Sequence, residues 1–364
     1  MKHMLTLCDL GDPLSNVLNY LPNMDILNIR CISIYLNDFV CNNLNIKKRE
    51  FEIKRGNIKN LKTTNNYKEI RWMTYDIDIS VYDDNEYIFT DCDIENLNHV
   101  TSLDIDNNNL ISIECVTRLT NLTHLSIDNT YIVDISNLTN LKSLITGYVT
   151  KNSDIINMTN LKLLDITCNE VLCDNDISHL TSITHFHAGY HTNISDAFIM
   201  NFTQLEYLES NDTITDKSLK YLTNLTVLCL EDNISITNDG LRNLTLLTEL
   251  DLCNNSNITE INHLTRLTRL DLSHNHMIND DAINKLTMLR ELVLIRNNMI
   301  TDNALTKLSN LVFLNMYYHD YVGITVEGIK KLTKLKKLCI RNCNHITEEY
   351  FGMSNLIVSY DDYY

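Results

Sequence analysis

An α/β solenoid, with a parallel sheet on one side and short returns on the other, is predicted by three features of this 364-residue chain. One phrase recurs: ITDKSLKYLTNLTVLCL at 214–230, ITNDGLRNLTLLTELDL at 236–252, INDDAINKLTMLRELVL at 278–294 and ITDNALTKLSNLVFLNM at 300–316. Within it, Leu250 and Leu252 alternate with polar neighbours, the mark of a strand with one buried face. An Asn then follows at a fixed place (Asn108, Asn169, Asn233, Asn255, Asn275, Asn297), while Gly (8) and Pro (2) are too scarce to supply the turns.

Aligned on L-x-x-L-x-L-x-x-N, the chain has twelve unit starts: Val100, Leu122, Leu141, Leu161, Ile183, Leu205, Leu225, Leu247, Leu267, Leu289, Leu311 and Leu335. The second and third apolar residues of the frame, as at Leu250 and Leu252, form the strand. The Asn turns inward, where its amide can bond backbone groups that the turn leaves unpaired. Thr301 and Asp302 then offer acceptors that cap a short helix, with Leu305 and Leu308 on one face. A unit of this size cannot bury its own apolar stripe, so each copy is the wall for the next. Each buried Leu or Ile contributes roughly 1.5–3 kcal/mol. The 22-residue units are expected to carry helical turns, and the 19–20-residue units irregular or 3₁₀ returns.

This pattern resembles the leucine-rich repeat family over about two-thirds of the chain. The resemblance implies a leucine-rich repeat solenoid, a curved parallel sheet with short helices or 3₁₀ turns on the convex side, and partner binding on the concave face. The LTNLTxLxL wording is also similar to bacterial internalin-type repeats, although MKHMLTLCDLGDPLS at the start shows no secretory signal.

Ahead of the repeats lies a small helical N-terminal module. Val17, Leu18, Leu21, Ile26, Leu27, Ile29 and Ile32 form compact helical patterns, and Pro22 with Asn23 or Asp25 suits a helix start. The run NYLPNMDILNIRCIS resembles an F-box, which docks a leucine-rich receptor onto the adaptor of an SCF-type ubiquitin ligase. Tyr20, Leu21, Asp25, Ile26, Leu27, Ile29 and Ile32 fall at matching places, whereas Ser33 and Leu36 replace a common Cys and Trp. The resemblance implies adaptor docking through Val17, Leu18, Leu21, Pro22, Ile26, Leu27, Ile29, Ile32 and Leu36. The other reading is a cap over the first core layer. The expected divisions are 1–45 for this module, 46–99 for degenerate lead-in repeats such as Ile70-x-x-Met73-x-Tyr75, 100–346 for the array and 347–364 for a C-terminal cap. In that cap Tyr350, Phe351 and Leu356 are expected to cover the last layer.

Net charge is −17, which disfavours nucleic acid and points to a protein target with a basic surface. Nine Lys and Arg stand against three Glu in 46–75, but eight acids follow in 76–95, so a solvated face is the better reading. Eleven scattered Cys with no CxxC read as reduced thiols, and no apolar run reaches the length of a membrane span. A monomer in the cytoplasm is expected, the host's if the source is viral. The Asn-rich composition, 49 residues, is attributed to an AT-rich genome and is similar to that of repeat proteins of amoebae and their large viruses.

The open positions around L-x-L are expected to bind the partner. They are acidic over the first nine units (Asp104, Asp106, Asp128, Asp165, Glu209, Asp212, Glu231, Asp232, Asp251, Asp271) and then become Arg296, Tyr317, Tyr318 and Arg341. Aromatic residues and Arg are enriched at binding hot spots. His185 and His187, with Asp165 and Glu209 alongside, have donors that zinc accepts, but cross-strand pairing is the simpler use, and neither metal nor cofactor is expected. No glycine loop, G-x-S-x-G or H-E-x-x-H is present, so the chain reads as non-enzymatic.

Overall fold

The computed structural model describes residues 76–78, 90–94, 97–98, 100–130, 132, 134–147, 152–189, 192–210, 214–318, 322–343, 346 and 356–359. The helical module, Ile70, Met73, Tyr75, Tyr350 and Phe351 lie outside them. The described residues fall into two compact units that meet in sequence at Leu144 and Ile145.

In the first unit β1 (Asp76–Asp78), β2 (Ser102–Asp104) and β3 (His124–Ser126) pair in parallel, with Ile77, Leu103 and Leu125 in register. Two helices, α1 (Asp91–Ile94) and α2 (Ile113–Arg118), lie in the connections, and the division between the units falls within a further strand, β4 (Ser143–Ile145). In the second unit the strands are β5 (Leu163–Asp165), β6 (His185–Ala188), β7 (Tyr207–Ser210), β8 (Val227–Cys229), β9 (Glu249–Asp251), β10 (Arg269–Asp271), β11 (Glu291–Val293), β12 (Phe313–Asn315), β13 (Lys337–Cys339) and β14 (Ile357–Ser359). All pair in parallel and in sequence order, so Leu164, Phe186, Leu208, Leu228, Leu250, Leu270, Leu292, Leu314, Leu338 and Val358 stand side by side. Strands β1 and β14 lie beyond the twelve frames because Asp-Ile-Asp and Ile-Val-Ser carry the alternation without the leucines.

The register explains the core. Leu250 is 2% exposed, and Leu252, Leu270 and Leu272 are fully buried against the equivalent leucines of adjacent units. Phe186 occupies a Leu place, and its ring meets Phe198 edge-on at 5.9 Å. The next inward places hold the small Ala188 and Ser210, which leaves room for the larger ring.

The inward Asn residues behave as the turn chemistry predicts. Asn233, Asn255, Asn275 and Asn297 are 0–1% exposed. Asn297 donates from Nδ2 to the carbonyl of Asn275 at 2.7 Å and accepts at Oδ1 from the N–H of Met299 (2.9 Å) and Ile300 (3.2 Å). Each preceding residue adopts the left-handed conformation that aims the Asn inward, even where it is not Asn or Asp: Cys168 at φ 62°, His274 at 53° and Arg296 at 51°.

The return segments depart from one expectation. Helices occupy the 22-residue units (α2, then α4 at Asp174–Ile177, α5 at Asp196–Ile199, α7 at Asn238–Leu241, α8 at Asp280–Ile283 and α9 at Asp302–Leu305) and the longest one (α10, Val326–Lys330). However, α3 (Asn152–Ile155) and α6 (Asp216–Leu219) lie in 20-residue units. Their missing residues come out before the helix: Ile214 follows Leu205 by nine positions, whereas Ile236 follows Leu225 by eleven. The unit from Leu247 loses its residues after Ile258 instead, and that from Leu122 loses them on both sides of Ile132; among the described residues neither has a helix. Which segment is shortened therefore decides the return, and total length does not.

A further set of bonds joins the returns. Thr215, Thr237, Thr301 and Thr325 each cap a helix by accepting a backbone N–H at the hydroxyl oxygen. The Asp one unit earlier holds each of them. Asp216 accepts the N–H of Thr237 at 2.9 Å and its hydroxyl at 2.7 Å, and Asp302 does the same for Thr325 at 2.8 and 2.6 Å. Exposed Asn residues add a third row, such as Asn224 donating to the Thr203 carbonyl at 2.9 Å and Asn310 to Thr287 at 2.8 Å. The abundance of Asn is thus structural chemistry as well as composition. At the C-terminal end Leu356 is half-buried and Ile357 is exposed. Among the described residues, no helix is long and apolar enough to cross a membrane.

Candidate protein-binding face

Alternation along each strand sends every second side chain away from the leucine core. In the second unit this makes ordered rows across the sheet. One runs Leu163, His185, Tyr207, Val227, Glu249, Arg269, Glu291, Phe313 and Lys337; the next runs Asp165, His187, Glu209, Cys229, Asp251, Asp271, Val293, Asn315 and Cys339.

At the β6–β7 end the rings are already ordered. His187 stacks on Tyr207 with centroids 4.4 Å apart, and His185 lies 6.0 Å from the same ring. His187 Nδ1 is 2.9 Å from Glu209 Oε2, and the Tyr207 hydroxyl donates to that oxygen at 3.2 Å. An ionised carboxylate only accepts, so the His187 proton sits on Nδ1. The bond from His187 holds the Glu209 carboxyl below its ordinary range, against burial. Burial and the nearby Cys229 and Glu209 push the Tyr207 hydroxyl up. His185 Nδ1 is taken up locally by Thr184 Oγ1 at 3.0 Å. The histidines therefore pair with neighbours, and among the described residues no three of His, Cys, Asp and Glu converge as metal ligands would.

From β7 to β10 the face is acidic. Burial, then the charge of Asp271, pushes Asp251 up to about 7, although its oxygen accepts the Cys253 N–H at 2.8 Å. Burial also raises Asp271, and burial with neighbouring carboxylates raises Glu231. The Cys229 and Cys253 thiols rise to about 12, first through burial and then through these acids. Arg269 stands between Glu249 (3.8 Å) and Glu291 (4.0 Å), a solvated arrangement of small energetic weight. Beyond β10 the face turns apolar, with Val293 buried, Ile295 and Phe313 half-buried, and Lys337 Nζ 5.3 Å over the Phe313 ring.

The residues singled out in the sequence fall in several places. Asp165, Glu209, Asp251 and Asp271 share one outward row on the strands, and Glu231 lies in the row beyond it. Asp232, Arg296 and Tyr318 sit on the left-handed turn (φ 57°, 51° and 54°), not on the strand, and Arg296 lies 5.1 Å over the Tyr318 ring. Tyr318 is 38% exposed, but Tyr317, expected in the open, is only 6% exposed, and Arg341 is half-buried. In the first unit Asp104 accepts the Asp106 N–H at 3.1 Å, while Asp106 accepts the Ser126 hydroxyl (2.6 Å) and the Asp128 N–H (2.8 Å). Those acids hold turns. Asp212 and the adaptor-docking residues lie outside the described residues. Sequence reasoning missed the row of Tyr207, Glu249, Arg269, Glu291 and Phe313. Extending the alternation one step before the first strand leucine would have found it.

The fold with this face defines the chain as a leucine-rich repeat solenoid. Similar solved structures include an internalin (inlF) from Listeria monocytogenes, 24% identical over 78% of this chain and 77% of that one, with a TM-score of 0.45. A Leptospira interrogans leucine-rich repeat protein is 16% identical over 82% of this chain and 86% of that one, with a TM-score of 0.49. The Rad7 and Elc1 complex of yeast supplies a chain 19% identical, covering 71% of this chain and 80% of that one, with a TM-score of 0.49. No family model matches the chain, and a search of curated proteins found no similar sequence.

Proposed function

We propose that the chain is a non-enzymatic protein-binding scaffold that holds its target on the outward face of the sheet. One observation carries this reading. The return side is occupied by Asp–Thr bonds between units, whereas the outward rows, linked across strands at His187–Glu209 and around Arg269, present carboxylates, ordered rings and an apolar end. Such a mixture is what protein interfaces use.

The finer reading is a substrate receptor of an SCF-type ubiquitin ligase, acting in the cytoplasm. Its support is the F-box-like run around Leu21, Ile26 and Ile29 immediately ahead of the repeats. The test is retention of a eukaryotic SCF adaptor by the full chain and by a Leu21→Asp, Ile26→Asp variant. Retention by the full chain and loss in the variant are expected. If the full chain retains no adaptor where a standard F-box protein does, the ubiquitin link fails. A variant that then melts earlier identifies the N-terminal helices as a cap.

A further inference from the structure

We propose that the edge of the sheet at which strands β8–β13 begin rests on an anionic lipid surface, with its Lys and Arg among the headgroups and Met288 at the interface. This edge is distinct from the outward face, and the inference stands apart from the scaffold reading above.

Six segments build this edge, each leading from a return into the next strand: KYLTNLT (220–226), RNLTLLT (242–248), NHLTRLT (262–268), NKLTMLR (284–290), TKLSNLV (306–312) and KKLTKLK (330–336). Together they hold ten Lys and Arg and no Asp or Glu, although residues 220–336 contain twelve basic and thirteen acidic residues. All ten are exposed. Backbone bonds stack the segments in register. The N–H just ahead of each strand donates to the carbonyl one unit earlier, as from Thr248 to Thr226, Arg290 to Thr268 and Lys336 to Val312, each at 2.8 Å. The cations therefore line up as one belt.

Local needs do not account for it. Solubility is served by either sign of charge, and the other faces of this −17 chain use acids. Basic residues favour helix C-termini, but Arg266 has no helix ahead of it, and Arg290 and Lys336 lie well past the ends of α8 and α10. Among the described residues two of the ten pair with an acid, Arg242 with Asp239 at 2.5 Å and Lys330 with Glu327 at 2.8 Å, both on exposed ground. Glu249 and Glu291, which begin their strands, share Arg269 instead. Salt screens charges beyond about 8 Å, so a surface touching the edge meets the belt and little of the net negative charge. A separate observation narrows the partner to lipid. At the tip of each segment, the x of LTxL, Leu246 and Met288 flank Arg266, and Met288 is 55% exposed. Aliphatic tips among cations are what elements lying at a lipid interface present. Seven of the ten are Lys, a hydrated point charge that needs no fixed fork geometry and suits mobile headgroups.

The test is co-sedimentation of the full chain with vesicles of phosphatidylcholine alone and with about one-third phosphatidylserine. The phosphatidylserine vesicles should bind about tenfold or more protein, and about 0.5 M salt should abolish the difference. A Lys285→Ala, Lys307→Ala, Lys331→Ala, Lys336→Ala variant should melt as the parent does and lose the binding. Lys217→Ala on the return side should keep it, and Met288→Ser should weaken it about two- to fivefold. Equal sedimentation with both vesicles, or a four-Ala variant that binds as the parent does, overturns the proposal. Retention of a poly-Glu peptide or single-stranded DNA without vesicle binding also overturns it, and assigns the belt to another kind of anion.

Discussion

Asn255 donates from Nδ2 to the carbonyl of Asn233 at 2.6 Å, and Asn275 repeats the bond to Asn255 at 2.9 Å. Each amide also accepts two backbone N–H groups at Oδ1, those of Asn257 and Ile258 for Asn255. One side chain thus satisfies groups in two units, deep in the core. Replacing Asn275 with Ala leaves buried donors and an acceptor unpaired, each costing about 1–3 kcal/mol. A loss of roughly 2–4 kcal/mol in urea unfolding is expected. A variant within about 0.5 kcal/mol of the parent would contradict it.

The Asp–Thr row on the return side gives a graded prediction. In one unit its place is taken by Asn238, which accepts the Thr259 N–H at 2.8 Å and donates to its hydroxyl at 2.9 Å. Asp302→Asn should therefore cost little, while Asp302→Ala should cost about 1–2 kcal/mol through the loosened Thr325 cap. Thermal melting of the two variants separates them.

Asp196 belongs to the same row, and its pKa sets an acid limb. Burial pulls it up, but the hydrogen bonds from the Thr215 hydroxyl and N–H outweigh burial and bring it below 3.8. A depressed carboxyl stabilises the fold above its unfolded value and loses that contribution as pH falls through its folded value. Stability should drop below about pH 4, and Asp196→Asn should flatten that drop in melts taken across the acid range.

Asp251 has the opposite sign. Its folded carboxyl holds a proton up to about pH 7, whereas an ordinary Asp releases it near 3.8. Between those values the folded chain binds more protons, so stability falls as pH rises through the window. Asp251→Asn should raise the melting temperature at pH 8 and lose most of that advantage at pH 5. An equal gain at both pH values would show that the carboxylate is not the cause.

Cys229 and Cys253, with thiols pushed up to about 12, should alkylate far more slowly than exposed cysteines at pH 8. Peptide mapping after brief iodoacetamide treatment reads this directly. Labelling as fast as in the unfolded chain would refute it.

The array was legible because every strand repeats one inward pair, as at Leu250 and Leu252, and because the inward Asn has a single use in such a turn. The Asp216–Thr237 pairing was not, since each partner looks complete within its own unit and they meet only across the stack. Unit length misled the reading of α6, because a count does not say whether the turn or the return was shortened. On the outward face the acids of the strand row were readable, but Tyr317 was not, because its burial depends on side chains from neighbouring strands.

The pairing of Asp280 with Thr301 has the same offset in kind as that of Asp302 with Thr325. Deleting one whole period would bring Asp280 onto Thr325, an equivalent acceptor onto an equivalent donor. Partial deletions keep a row only where they spare its own residues, as the Asp196–Thr215 and Asn255–Asn275 bonds across shortened units show. Such a chain can therefore grow or shrink over evolution by complete modules while its seams heal themselves.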